Sequence, residues 1–288
     1  MPEMMEVDAE IVGSLAAAND LRWRQLFEMP VWSELRAVTQ GDVDQLIDIA
    51  YGLGLVAPFD WQAWYSPDRF PAGHGLAAAS VADAVRLITA IVRGDRFSGG
   101  VLVEQIGDGS ILAAVNRLWD WYRSTMVGDT EYVDHADYSA DGVYRWSVER
   151  RWAPGASLCW VGLNPGMGDH DHGPRPTLNR VVSWAKREGC SAVVVVNLFS
   201  FRSTDPRALR ATSIDVVGEL TDAAIVAASS DARVTLAAWG ADKAVGTRSA
   251  AVLKLLRNPV CAGVTKNGEP RHPLYVAQST PFVPYSVE

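Results

Sequence analysis

Four short apolar runs constrain this chain more than any other feature: residues 158–163, 192–197, 234–239 and 260–264. Each is five or six residues long, rich in Val, Leu or Ala, and shows no polar alternation, so each reads as a strand buried on both faces. Segments of helical spacing separate them: 177–188, closed by Gly189; 206–229, long enough for one or two helices; and 243–256. Residues 143–148 are also strand-like. Buried strands alternating with helices predict an α/β fold, a three-layer α/β/α arrangement around a central, mostly parallel sheet.

Residues before 133 follow another rule. At 42–53, 80–93 and 110–123 apolar side chains recur at helical spacing, with Ser80 as a start signal and glycines at 52, 54 and 94 as stops. Residues 125–141 turn polar and acidic and lose periodicity, which marks a boundary near 133. The expectation is a mainly helical accessory domain over 1–132 and an α/β domain over 133–288. Charge divides with it: residues 1–135 hold nine arginines, no lysine and twenty acidic residues, a net of −11, while the remainder carries +3 of the chain's −8. A polyanion would approach the second part, although +3 alone is no nucleic-acid signature, and the acidic first part suits a protein partner; two ordinary solvated surfaces are the alternative. The aromatic stretch 58–65 reads as cover for the helical core, with a contact surface for a partner or a base as the alternative.

No apolar stretch has the length of a bilayer span, and the first ten residues are acidic, so a cytoplasmic protein with no membrane partner is expected. Cys159, Cys190 and Cys261 are widely spaced, odd in number and set among apolar residues, which favours reduced core thiols over disulfides or metal ligands. Asp169-His170-Asp171-His172 alternates carboxylate and imidazole, but it sits among glycines and a proline and reads as a solvated lid rather than a metal site. Neither a metal nor a cofactor is expected.

The carboxyl ends of the predicted strands carry four polar stations: Gly162-Leu163-Asn164-Pro165-Gly166, Asn197-Leu198-Phe199, Trp239-Gly240-Ala241, and Arg271-His272-Pro273-Leu274-Tyr275. In a parallel sheet such ends converge on one crevice, so residues a hundred positions apart can face one ligand. Taken singly, each has a plainer role: Asn164 as a turn cap, Asn197 as a strand end, Phe199 as core, His272 as a loop residue beside proline.

Together the stations resemble the uracil-DNA glycosylase superfamily. Gly162-Leu163-Asn164-Pro165-Gly166 is similar to the first glycosylase motif, in the form of the mismatch-specific branch, and His272-Pro273-Leu274-Tyr275-Val276 is similar to the second. The segment from Val193 to Asn197, with Arg202 and Asp205-Pro206, resembles the one whose strand-end Asn reads the base. Residues from about 133 to 284 look closely similar to an uncharacterised bacterial family within it, catalogued as domain of unknown function 1643. Leu53-Gly54-Leu55-Val56, Phe59-Asp60-Trp61 and Val92-Arg93-Gly94-Asp95-Arg96-Phe97 resemble a helical domain of unknown function, 6508, which implies no activity.

The glycosylase resemblance implies a DNA glycosylase-like hydrolase acting on uracil or a modified base, such as one in phage DNA, flipped into the crevice. Asn164 and His272 would be catalytic: the amide orients a water under the sugar, and the imidazole donates a hydrogen bond to the departing base. Gly162, Pro165, Gly166, Asn197, Phe199 and Tyr275 would contact the base, with Asn197 matching its edge, Phe199 stacking, and Tyr275 wedging into the duplex. Arg202, Lys266 and Arg271 would meet phosphates, with a solvated rim as the alternative. Two departures stand out: no Asp or Glu base occupies position 164, and the cysteine pattern of the iron-sulfur branches is missing. The rival reading is a non-catalytic module that senses a nucleotide or modified base.

Overall fold

The computed structural model describes residues 2–18, 20–32, 37–127, 132–166 and 176–286. The chain divides into two compact units, Met1–Glu131 with Ala153–Gly155, and Tyr132–Trp152 with Ala156–Glu288.

The first unit is built from α1 (Pro2–Ala16), α2 (Asp20–Glu28), α3 (Gln40–Gly52), α4 (Trp61–Trp64), α5 (Val81–Asp95), α6 (Val101–Gly107) and α7 (Ser110–Tyr122). Helix α3 starts where Thr39 accepts from the Asp42 N–H while the Asp42 carboxylate accepts from the Thr39 N–H, a reciprocal cap that fixes the first turn. Val85, Ile88, Ile91 and Val92 of α5 and Ile111, Val115 and Leu118 of α7 are buried at the helical spacing read from the sequence. The aromatic stretch is only partly cover. Phe59, Trp61 and Trp64 are half-buried, and Trp61 stacks on Phe97, which is 79% exposed.

The second unit holds β1 (Val133–Tyr138), β2 (Arg145–Arg151), β3 (Ser157–Gly162), α8 (Pro176–Arg187), β4 (Ala192–Asn197), α9 (Ala208–Ala211), α10 (Thr221–Asp231), β5 (Val234–Ala237), α11 (Arg248–Leu253), β6 (Val260–Cys261) and β7 (Val283–Pro284). They form a seven-stranded sheet in the order β1-β2-β4-β3-β5-β6-β7. The four central strands β4, β3, β5 and β6 pair in parallel, while β1, β2 and β7 join antiparallel at the margins, so the sheet is more mixed than its apolar runs predict. The marginal strand β1 falls in the stretch read as a linker. Its Asp134 forms a two-point ion pair with Arg150 of β2, and its Asp137 accepts from Ser147, so polar cross-strand pairs replace the apolar signature.

All six residues of β3 are buried. Leu158 and Trp160 pack with Leu178, Val181 and Trp184 of α8, whereas Cys159 and Val161 pack with Leu209 of α9, Ile225 of α10 and Val252 of α11. Alternate residues thus serve two apolar clusters, which is why the run lacks a polar face. Cys159, Cys190 and Cys261 are free and buried, and loss of hydration pushes the first two thiols up to about 12 and about 11. No described helix is long and apolar enough to cross a membrane. Among the described residues no group of three His, Cys, Asp or Glu could hold a metal ion, and the 169–172 cluster lies outside them.

Candidate functional site

The site starts where β3 ends. Gly162 pairs with Asn197, the last residue of β4, and a Cβ built on Gly162 would lie 2.7 Å from Asn197 Oδ1. Only glycine lets the two strand ends approach this closely while the amide stays in place. Asn197 is 4% exposed, and its Nδ2 is buried without a hydrogen-bond partner among the described residues. A buried amide donor left open in this way calls for a partner supplied from outside the chain.

Beyond Gly162 the chain turns through Leu163-Asn164-Pro165-Gly166. Asn164 Nδ2 donates to the carbonyl oxygens of Ser203 at 2.8 Å and Pro165 at 3.1 Å. Both donor hydrogens are thereby used to anchor the side chain, and Oδ1 remains as its acceptor. The plainer turn-cap role and the functional role are therefore compatible: fixing the amino end fixes where the oxygen points.

The third and fourth stations interlock. Gly240, at φ +81°, donates its N–H to the Pro270 carbonyl at 2.9 Å, and a Cβ at this position would lie 3.2 Å from His272 Cβ. Left-handed backbone and close approach both select glycine here. His272 precedes the 3-10 turn Pro273–Tyr275, and its Nδ1 accepts the Leu274 N–H at 3.3 Å. That bond places the ring proton on Nε2 in the neutral imidazole. Burial holds the His272 pKa below the ordinary 6.5, which favours that neutral form at physiological pH. Its ring meets Trp160 edge-on, with centroids 6.3 Å apart.

These side chains border one cavity of about 990 Å³, lined among others by Asn164, Asn197, His272 and Trp160. Its size falls within the range of small-molecule sites and exceeds what a bare base would fill. Gly162, Gly166, Lys266, Arg271 and Tyr275 also line it, and Tyr275 is 77% exposed.

Three expected site residues are not part of the cavity lining. Phe199 is buried in an apolar cluster with Leu198, Leu209 and Ile225, because the chain turns inward after β4 and spends the ring on the core. Pro165 is buried, and its carbonyl accepts from Ser203 N–H, so it shapes the loop instead of lining the cavity. Arg202 donates to the Gly142 carbonyl at 2.9 Å and lies over the Tyr138 ring at 5.0 Å, away from the lining.

Trp160, Arg145 and Thr265 were not singled out in the sequence, yet all line the cavity. Trp160 is disguised by its apolar run. The signal that would have exposed it is parity: in a strand, residues 160 and 162 face the same side. Thr265 Oγ1 and Trp160 Nε1, like Asn197 Nδ2, are buried without a partner among the described residues.

Residues 145–274 match the model of a family described as "Protein of unknown function (DUF1643)", and residues 16–124 match that of a "Family of unknown function (DUF6508)". No curated protein matches the chain, and no solved structure does.

Proposed function

We propose that the second unit is a DNA glycosylase-like hydrolase that cleaves the N-glycosidic bond of a base turned out into the crevice, within a three-layer α/β/α fold of the uracil-DNA glycosylase type. The observation that carries this reading is that Asn164, Asn197 and His272, more than a hundred residues apart at the extremes, border one cavity. In the proposed reaction Asn164 Oδ1 accepts a hydrogen bond from a water held beneath the sugar. The C1′–N bond breaks with its electron pair leaving on the base, and the water oxygen bonds to C1′ as its proton passes to solvent. Neutral His272 donates Nε2–H to the departing anion, stabilising charge where it develops without transferring the proton. Asn197 reads the base edge with one donor and one acceptor held in a plane. Each step is carried by side chains and water, so no cofactor enters it.

Lys266 and Arg271, at the rim, are the cations that would meet flanking phosphates. The first unit is the accessory part, its acidic surface suited to a protein partner.

The test is incubation with oligonucleotides bearing uracil or bulky modified pyrimidines, followed by alkali treatment. Strand breaks at the modified base that disappear in Asn164→Ala and His272→Ala support the reading; no breaks on any substrate, or equal breaks in the variants, contradict it. One observation favours a second reading. Position 164 offers an anchored amide where a faster hydrolase would place a carboxylate base, which suits a module that binds a base without cleaving it. That reading predicts a ligand-induced rise in melting temperature with no product.

A further inference from the structure

We infer that Trp160 is a specificity-determining residue of the crevice, its indole N–H donating to an oxygen or ring-nitrogen acceptor of the ligand beside the edge that Asn197 reads. The inference rests on the reading of the crevice as a base site and adds a residue and a selection rule to it.

Trp160 and Gly162 share one face of β3, and Gly162 lies opposite Asn197. The space a Cβ would take on Gly162 is 2.7 Å from Asn197 Oδ1 and 3.7 Å from Trp160 Nε1, so the two atoms flank the same gap. Trp160 is 9% exposed, and its Nε1 is buried without a partner among the described residues. Buried indole N–H groups ordinarily find an acceptor. Trp23 and Trp146 also carry unpartnered Nε1 atoms, but neither lines the cavity; Trp160 does, between Asn197 and His272.

The gap is therefore bordered by a donor on Asn197, an acceptor on Asn197 and a donor on Trp160. The complementary edge runs acceptor, donor, acceptor, as in a ring N–H between two carbonyl groups. An exocyclic amino group facing Trp160 sets donor against donor and leaves the buried indole N–H unpaired. Thr265, whose hydroxyl both donates and accepts, imposes no such choice.

The experiment is isothermal titration calorimetry of the full chain with 2′-deoxyuridine, 2′-deoxycytidine, 2-thio-2′-deoxyuridine and 4-thio-2′-deoxyuridine, each thio analogue keeping the ring N–H and replacing one carbonyl oxygen by sulfur, a weaker acceptor. The wild type is expected to bind 2′-deoxyuridine at least about tenfold more tightly than the other three. Trp160→Phe keeps an aromatic ring and removes the N–H. It is expected to erase the preference for one of the two oxygens, so that losing the indole N–H and replacing that oxygen do not add. The wild-type ligand series needs no variant: equal affinity after replacement of either oxygen by sulfur overturns the inference. An unchanged preference in folded Trp160→Phe overturns it while leaving the base-site reading standing. A wild type that binds none of the four overturns both.

Discussion

Gly162 and Asn197 meet across the β3–β4 pair so closely that a single added methyl would lie 2.7 Å from the Asn197 amide oxygen. Gly162→Ala is expected to displace that amide and destabilise the fold by about 1–3 kcal/mol, the usual range for overpacking in a filled core. Melting curves and nucleoside titrations on the same variant check this: the account expects a lowered melting temperature together with lost binding.

Asn164 differs from an aspartate in a way the geometry makes decisive. Its Nδ2 donates to two carbonyl oxygens, so Asn164→Asp sets a carboxylate oxygen against both. The substitution is expected to lower stability by about 1–3 kcal/mol and to leave any cleavage no faster than wild type. Asn164→Ala, which removes the amide oxygen together with its two anchoring hydrogen bonds, is expected to reduce cleavage by about 10²–10³-fold, the scale for one lost stabilising group. Denaturant melts and single-turnover cleavage separate the two.

His272 supplies a pH signature. Its folded pKa lies below 6.5 because burial penalises the cation. Between that lowered value and the unfolded one the unfolded chain binds more protons, so stability rises with pH through this window and levels off above 6.5. His272→Gln is expected to flatten that part of the stability profile, measured by urea melts across the acidic range. Cleavage in the wild type is expected to be flat above 6.5 and to fall as the imidazole protonates.

The Phe199 ring packs in the core and not against the cavity. Buried in the core at 6% exposure, it is expected to cost about 3–5 kcal/mol of stability when changed to alanine. The folded fraction of Phe199→Leu is expected to bind nucleosides as the wild type does, measured by calorimetry. A specific loss of affinity at unchanged stability would return the ring to the site.

Gly240 holds the His272 loop through a left-handed turn and a 3.2 Å approach. Gly240→Ala is expected to destabilise by at least about 1 kcal/mol and to move the His272 imidazole, seen as a changed ring chemical shift.

The central strands were legible because burial on both faces leaves an unbroken apolar run. Strands β1 and β7 were not: the first pairs charges with β2, and the second is two residues long and ends in proline. That Asn164, Asn197 and His272 gather at one cavity was legible because each stands at a strand end or beside a stiffening proline. Phe199 follows the same punctuation but belongs to the core, and nothing in its local pattern tells the two apart. Trp160 was hidden for the opposite reason, since one polar atom on a large apolar side chain leaves a hydrophobic run intact. Arg202, read as a phosphate contact, is committed to a backbone carbonyl from a loop sixty residues away, a partnership set by tertiary structure alone.

The most direct measurement follows the side-chain amide signals of Asn164 and Asn197 and the imidazole signal of His272 by NMR while 2′-deoxyuridine is added. All three are expected to move together with one dissociation constant. Shifts confined to one of them, or three different constants, would contradict a single crevice shared by the two amides and the imidazole.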